Sequence, residues 1–269
     1  MKMKSVGSGI GHMYIREALQ KAENCFLCYL ENRFEQRYLD NYLTYLVMDA
    51  GERERIIESR GFCNYHFHKM HALSTNPTGS DGLGMALILK SVTEQLLDDV
   101  KSQQPAKSVW SRRPRLRLKG NSHSILASRL LKTVANQTKC PACNHVSTMM
   151  QVYTHDFLQQ AAEDEEILKL YDTSKGMCIP HYAVALLVAS RISDERCEYA
   201  IQRIIHKQIR VLERTQIDLS EYIEKQDYHF SQKDRAGTEE AVGESLAEVA
   251  GRRGTDRTLA TIIEAKCIE

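Results

Sequence analysis

Two short stretches decide the fold of this chain: GFCNYH at residues 61–66 and GMCIPH at residues 176–181. Each has the order Gly-x-Cys-x-x-His, and each follows a Cys-x-x-Cys pair, CFLC at residues 25–28 and CPAC at residues 140–143. Both sets have the pattern Cys-x2-Cys-x34-Cys-x2-His, and the second lies 115 positions after the first without a gap. A second copy with the same internal spacing indicates a duplication.

Further identities at the same offset extend the repeat beyond the cysteines. They are Tyr38 with Tyr153, Leu43 with Leu158, Asp49 with Asp164, Ser59 with Ser174 and Gly61 with Gly176. These identities are spread between positions 38 and 61 and between 153 and 176, so the similarity is not confined to the ligand residues.

The ligand types predict a metal site in each half of the chain. A cysteine and a histidine at i and i+3 share a helix face, and three thiolates with one imidazole form a closed tetrahedral set that suits Zn²⁺. The predicted sites are Cys25, Cys28, Cys63 and His66 in the first half, and Cys140, Cys143, Cys178 and His181 in the second. Zinc is the favoured metal, and a [4Fe–4S] cluster in each site is the alternative.

Other uses of the cysteines fit the sequence less well. A thioredoxin-like Cys-x-x-Cys needs a βαβ context, and c-type haem attachment needs a histidine directly after the second cysteine, where this chain has Tyr29 and Asn144. No stretch reaches the roughly 20 apolar residues of a membrane span, and the first residues lack the apolar core of a signal peptide. We therefore expect a cytoplasmic protein without a membrane partner, where disulfides are disfavoured.

Helical periodicity along the chain predicts a mainly α protein. We expect two pseudo-repeated helical hairpin units, each clasped by its own metal, plus a long C-terminal helix. The predicted domains are a first metal-clasped unit at 1–102, a basic linker at 103–122, a second metal-clasped unit with the long helix at 123–230, and a C-terminal tail with short helices at 231–269.

The linker carries a basic segment at residues 107–119 that includes the only tryptophan, Trp110. Its cations are Lys107, Arg112, Arg113, Arg115, Arg117 and Lys119. Cations beside an aromatic ring can bind a nucleic acid strand. The favoured interpretation is nevertheless a solvated linker, because the segment is short and the net charge of the whole chain is only +1.

The chain resembles an uncharacterised family of helical proteins from anaerobic bacteria and archaea. The resemblance covers nearly the whole chain and is strongest in the duplicated Cys-x-x-Cys and Gly-x-Cys-x-x-His blocks. It runs through HMYIREALQKAENCFLC (12–28), SRGFCNYHF (59–67), CPAC (140–143), KGMCIPHY (175–182), EYIEKQDYHF (221–230) and LAEVAGRRG (246–254). The family implies the duplicated metal-binding architecture and brings no established activity.

Three functions follow from these patterns. The first is a non-enzymatic adaptor or scaffold, stapled by two Cys3His metal sites, that presents a helical surface to a protein partner. The second is an iron–sulfur redox or cluster-carrier protein of an anaerobic system. The third is a zinc enzyme in which one site opens. No catalytic constellation is evident in the sequence, which favours the first function.

Overall fold

The computed structural model describes residues 10–75, 82–101, 139–192, 194–225 and 240–266, together with positions 124, 127, 128 and 131. Within these ranges the regular structure is helical and there is no β-strand, which confirms the predicted mainly α fold. The predicted linker at 103–122 lies outside the described residues, so the domain ranges built around it stay a prediction.

The described helices precede and follow the undescribed linker along the chain. In chain order they are α1 (Ile10–Lys21), α2 (Phe26–Thr44), α3 (Ala50–Ser59), α4 (Asn64–Ser74), α5 (Leu83–Lys101), α6 (Pro141–Glu163), α7 (Glu165–Thr173), α8 (Ile179–Ala189), α9 (Glu195–Glu224), α10 (Ala241–Ala250) and α11 (Thr255–Lys266), with a 3₁₀ turn at Leu46–Met48. The long helix expected near the C-terminal end is α9, and α10 and α11 are two short helices of the tail.

The duplicated aspartates begin equivalent helices. Asp49 caps α3, where its side chain accepts a hydrogen bond of 3.0 Å from the backbone N–H of Glu52. Asp164 caps α7 and accepts one of 2.8 Å from the backbone N–H of Glu166. Each carboxylate satisfies a helix N–H that has no partner within the helix. The repeat therefore extends to the local structure between the two halves of each motif.

The duplicated glycines turn the chain from these short helices toward the Cys-x-x-His segments. Gly61 has φ 95° and Gly176 has φ 92°, values that side chains with a Cβ rarely adopt. The hydroxyl of Ser59 donates to the carbonyl of Gly61 at 3.0 Å, and the backbone N–H of Gly176 donates to the hydroxyl of Ser174 at 3.2 Å. Glycine in the Gly-x-Cys-x-x-His motif is thus a requirement of the backbone.

The chain divides into two compact units, residues 1–35 with 145–269 and residues 36–144. The boundaries fall inside α2 and α6. In this division residues 1–35 belong with the C-terminal half of the chain and not with residues 36–102.

The first unit has an aromatic centre to its core. Phe26, at the start of α2, lies 4.8 Å from Phe157 and 6.1 Å from Tyr171, measured between ring centroids, and all three side chains are fully buried. Leu158 of the repeat is buried in the same core. These contacts hold the start of α2, with Cys25 directly before it and Cys28 in its first turn, against α6 and α7.

The second unit has its own core between α2, α3, α4 and α5. Leu43 of the repeat is buried here together with Tyr42, Ile56 and Met70. A Cβ on Gly84 would lie 2.1 Å from the carbonyl oxygen of Leu43, so the lack of a side chain at Gly84 lets α5 approach the end of α2 closely. Each unit therefore encloses one copy of the Leu43/Leu158 position in a separate core.

Candidate metal centres

Two clusters of four ligand residues are buried in the structure, one in each unit. Site A consists of Cys25, Cys28, Cys178 and His181, and site B consists of Cys63, His66, Cys140 and Cys143. Within each cluster one ligand atom per residue lies within 4.8 Å of all the others. Both clusters could hold a metal ion, and their members are the eight residues that the sequence motifs single out.

The predicted pairing of these residues is wrong. The repeat spacing predicts that each half of the chain brings its own Cys-x-x-His back to its own Cys-x-x-Cys. The structure exchanges them: the first Cys-x-x-Cys meets the second Cys-x-x-His in site A, and the second Cys-x-x-Cys meets the first Cys-x-x-His in site B. Neither cluster therefore joins the two ends of one predicted hairpin.

The lengths of the helices explain the exchange. Helix α2 has 19 residues and is about 28 Å long, whereas α3, which follows it, has 10 residues and is about 15 Å long. The ring of Phe62, next to Cys63, accordingly packs 5.1 Å from that of Tyr42 near the far end of α2. The chain does not return to Cys25, and Cys63 stays in the unit that contains the end of α2.

The Cys-x-x-Cys pairs lie where long helices begin. Cys25 directly precedes α2, and Cys140 directly precedes α6, whose first residue is Pro141. Proline suits this position because the N–H that it lacks would have no partner within the helix. The backbone N–H of Cys28 donates to the Sγ of Cys25 at 3.4 Å, which folds the pair into a single turn with both thiols on one side.

The Cys-x-x-His segments also lie at helix starts. Cys63 and Cys178 are the N-caps of α4 and α8, with extended backbone conformations (φ −68°, ψ 163° and φ −65°, ψ 156°). The histidine three residues later then lies on the first turn of the helix. The positive end of a helix dipole stabilises a thiolate, and every ligand segment of both clusters has this advantage.

In site A three sulfur atoms surround the Nδ1 atom of His181. The Nδ1–Sγ distances are 3.6 Å to Cys25, 3.4 Å to Cys28 and 3.3 Å to Cys178, and the Sγ atoms of Cys28 and Cys178 lie 3.6 Å apart. Around a tetrahedral zinc ion, with bonds of about 2.3 Å to sulfur and 2.0–2.1 Å to nitrogen, neighbouring ligand atoms lie about 3.5–3.8 Å apart. The residues of site A fit one such ion.

Site B has the same arrangement around the Nδ1 atom of His66. Its distances are 3.1 Å to the Sγ of Cys63, 3.5 Å to that of Cys140 and 3.4 Å to that of Cys143, and the Sγ atoms of Cys63 and Cys143 lie 3.7 Å apart. All four side chains are buried, with 0–4% of their surface exposed. The residues of site B therefore also fit a single tetrahedral ion, enclosed by protein.

The ligand groups of site A differ in acidity. Burial, together with hydrogen bonds to Cys178 and Cys28, raises the pKa of the Cys25 thiol well above its usual range. Hydrogen bonds from Cys178 and Cys25 lower the pKa of Cys28 far below its usual range, against the effect of burial. Burial lowers the pKa of His181, but hydrogen bonds with Cys178 and Cys28 outweigh it and raise the pKa to about 10. Negative charge thus concentrates on Cys28, where it attracts a cation.

Site B shows the same inequality among its thiols. Hydrogen bonds with Cys140 and Cys143 lower the pKa of Cys63 far below its usual range, and His66 adds to this effect. Hydrogen bonds with Cys140 and Cys63, together with burial, raise the pKa of Cys143 well above its usual range. The protein thus favours the thiolate of Cys63, and a divalent ion would supply the charge that stabilises a thiolate at Cys143.

Behind His181 lies a buried carboxylate that the sequence reasoning missed. The Nε2 atom of His181 lies 3.9 Å from an Oε2 atom of Glu31, and neither side chain is more than 1% exposed. The side chain of Arg252 donates to Glu31 at 2.9 Å and to Glu35 at 2.6 Å. The sequence signals for this group are the position of Glu31 three residues after Cys28 and the stretch LAEVAGRRG (246–254), which contains Arg252.

Other histidines and cysteines among the described residues lie outside both clusters. His68 and His71 are exposed, so the histidine of site B is His66. Cys197 is buried but belongs to neither cluster. The Nδ1 atom of His206 lies 2.7 Å from the carbonyl oxygen of Gln202 on the same helix. The basic segment at 107–119 and the terminal cysteine, Cys267, lie outside the described residues.

Within the described residues no helix combines the length and the apolar character needed to cross a membrane. No curated protein and no solved structure matches the chain. A family model does match, over residues 6–256, which is nearly the whole chain and includes all eight ligand residues. The resemblance to an uncharacterised family is confirmed on this match: the chain belongs to the family of unknown function DUF6062.

Proposed function

We propose that this protein is a non-enzymatic adaptor whose helical units are stapled by two Cys3His zinc sites. The observation that carries the proposal is the pair of clusters, each with four soft ligand atoms within 4.8 Å of one another. Three thiolates and one imidazole supply the four ligands that structural zinc takes. The zinc ions would contribute folding free energy, because the unfolded chain does not bring these residues together.

The spacing of the ligands favours a single ion over the iron–sulfur alternative. In a four-iron cluster each ligand binds a different iron, so that the body of the cluster separates the ligand atoms. The S···S distances of 3.6 Å in site A and 3.7 Å in site B are instead those of atoms bound to one ion. Among single ions with this ligand set, zinc is the one that structural Cys3His sites commonly hold.

The enclosure of the sites supports a structural role for the metal. A catalytic zinc site usually has three protein ligands and keeps its fourth position for water or substrate. Here four protein ligands surround each position, and all are buried except Cys28, which is partly exposed. We accordingly place the function of the protein in its helical surface and not in a reaction at the metal.

The thiols and the surface bear on the location and the partner that we propose. The seven described cysteines are free thiols, and a reducing compartment such as the cytoplasm keeps thiols available for metal. Large apolar side chains are exposed on α9 and α10, among them Ile217, Ile223 and Leu246. Exposed apolar surface is what a protein adaptor would offer to a protein partner.

The first experiment is purification without oxygen or added metal, followed by elemental analysis and a visible absorption spectrum. We expect two zinc ions per chain and no colour. The matched control is Cys197→Ala, which removes a buried cysteine that belongs to neither cluster and should leave the zinc content unchanged. A brown protein with iron and sulfide in place of zinc would contradict the proposal and support the cluster carrier.

A second experiment separates the structural role from a zinc enzyme. Cobalt replaces zinc in such sites, and its absorption spectrum reports the ligands. We expect the spectrum of the cobalt-loaded protein to stay unchanged when a metal-binding small molecule such as cyanide or a hydroxamate is added below the concentration that strips the metal. A new spectrum with the cobalt still bound would show an open position and contradict a closed site.

A further inference from the structure

The carboxylates of Glu31 and Glu35 are buried within the first unit, on successive turns of α2. Their exposed fractions are 0% and 1%. A buried charge is costly unless hydrogen-bonded partners surround it. The two carboxylates are joined through Arg252, which donates to Glu31 through Nε at 2.9 Å and to Glu35 through a terminal nitrogen at 2.6 Å. Glu31 also faces His181, one of the candidate metal ligands.

Glu31 has further donors from the C-terminal helix. The hydroxyl of Thr255 donates to its Oε2 at 2.7 Å, and the hydroxyl of Thr258 donates to its Oε1. Both hydroxyls belong to α11 and are buried, with exposed fractions of 0% and 4%. The carboxylate is therefore fixed in place by three side chains from residues 252–258.

His181 presents the opposite ring atom to this carboxylate. Its Nδ1 faces the three sulfur atoms of site A, and its Nε2 lies 3.9 Å from Glu31 and has no hydrogen-bond partner among the described residues. A neutral histidine that binds metal through Nδ1 carries its proton on Nε2. A buried N–H needs an acceptor, and Glu31 is the carboxylate in position to become one through a shift of about 1 Å.

We propose that Glu31 is the positioning residue of site A: it holds the His181 ring in the tautomer that leaves Nδ1 free to bind the metal. Arg252, Thr255 and Thr258 act through it by fixing the carboxylate, which makes residues 252–258 part of the metal centre. The inference rests on the proposed metal binding and adds to it which residue outside the ligand set determines the stability of site A.

The second copy of the repeat has no carboxylate at the two equivalent positions. At the offset of 115 residues, Glu31 corresponds to Val146 and Glu35 corresponds to Met150. Neither side chain can accept a hydrogen bond from a histidine in the way that a carboxylate does. The two sites have the same ligand types, and the carboxylate that faces His181 in site A has no counterpart at the equivalent position of the repeat. A change at Glu31 should therefore affect site A and leave site B unaltered.

The test is cadmium NMR and zinc release in the full-length protein, with Glu31→Gln compared with Glu35→Gln. The cadmium-loaded wild type should give one resonance per site, and His181→Gln identifies that of site A. Glu31→Gln should shift that resonance and speed release of zinc from site A to a colorimetric chelator by about 10–100-fold, the usual effect of losing such a partner. Glu35→Gln also removes a carboxylate from Arg252 but leaves His181 facing Glu31, so it should change release only a few-fold.

Several outcomes would overturn the inference. Equal effects of Glu31→Gln and Glu35→Gln would show that the Arg252 network as a whole, and not Glu31, affects the site. If Glu31→Gln shifts only the site B resonance, Glu31 does not act on site A. If Glu31→Gln does not fold, Thr258→Val, which removes one donor to Glu31, provides a second test. It should shift the site A resonance and speed zinc release less than Glu31→Gln would, and an unshifted resonance would contradict the proposal. A wild type that binds no cadmium or zinc would instead refute the proposed function.

Discussion

The Sγ atoms of Cys28 and Cys178 lie 3.6 Å apart, although 150 positions separate the two residues in the chain. A metal bound between them would close a loop of about that length. Pairing within one half would close loops of about 35 residues, and the entropy of loop closure makes the longer cross-link about 1 kcal/mol more stabilising. With the exchanged pairing, each metal would cross-link segments that are far apart in the chain. The stability of both units should therefore depend on bound metal.

Removal of the metal should therefore loosen both units. We expect chelation at neutral pH to lower the melting temperature and to reduce the helical circular dichroism signal, because each cluster otherwise leaves thiols packed together and buried in a core. Zinc added back should restore both, and magnesium, which prefers oxygen ligands, should not. If the chelated protein is shown to contain no metal and still melts at the original temperature, the metal does not stabilise the fold.

The glycines that precede the Cys-x-x-His segments should not tolerate a side chain. In Gly61→Ala the new Cβ would meet the Cζ of Phe67 at 2.6 Å, at a φ of 95°. We expect a loss of about 2 kcal/mol in the free energy of unfolding, measured with denaturant, from the backbone strain alone. Gly176→Ala should lose a similar amount, since its φ is 92° and its nearest neighbour, Val211, lies at 3.3 Å.

Gly243 provides the control for these variants. It lies inside α10, is exposed, and a Cβ there would meet nothing within 4 Å. Gly243→Ala should stabilise the protein by about 0.5–1 kcal/mol, because alanine favours the helix. Equal losses at all three positions would show that the conformation at Gly61 and Gly176 is not what the motif requires.

Arg252 should be among the most sensitive polar positions. Arg252→Ala removes a charged partner from two carboxylates that are 0% and 2% exposed at the side chain, and breaking a buried ion pair by removing one partner costs about 3–5 kcal/mol. Arg55→Ala is the matched control, because Arg55 is 68% exposed in its ion pair with Glu52 and should cost at most about 1 kcal/mol. Denaturant unfolding of both variants checks the prediction, and a loss below 1 kcal/mol for Arg252→Ala would contradict it.

The sequence was sufficient for the helices and the ligand residues, because both leave local signals. Helical periodicity predicts α9, and the duplicated spacing identifies Cys63 and His66 as ligands of one site. The same spacing is compatible with either pairing, since each Cys-x-x-His lies at an equivalent place in its copy. What decides between them is that α3, with 10 residues, is too short to bring the chain back along the 19 residues of α2, and the repeat spacing by itself carries no information about this distance.

The carboxylate behind His181 could not be predicted for a different reason. Glu31 is a common helix residue, and its burial depends on Arg252, which lies 221 positions away in the chain. Only the fold brings them together. The comparison of Glu31 with Val146 at the repeat offset was available from the sequence, but its meaning depends on knowing that this position faces the histidine of the opposite copy.

The pairing itself is tested most directly by the metal content of two double variants. Cys25→Ser with Cys178→Ser removes two ligands from site A alone, so the purified protein should keep one zinc per chain. Cys25→Ser with Cys63→Ser removes one ligand from each site, so it should lose most of both. Cys197→Ala in each background controls for the loss of a buried cysteine. We expect this order of zinc content. The reverse order, with one zinc kept by the Cys25/Cys63 variant and none by the Cys25/Cys178 variant, would contradict the exchanged pairing.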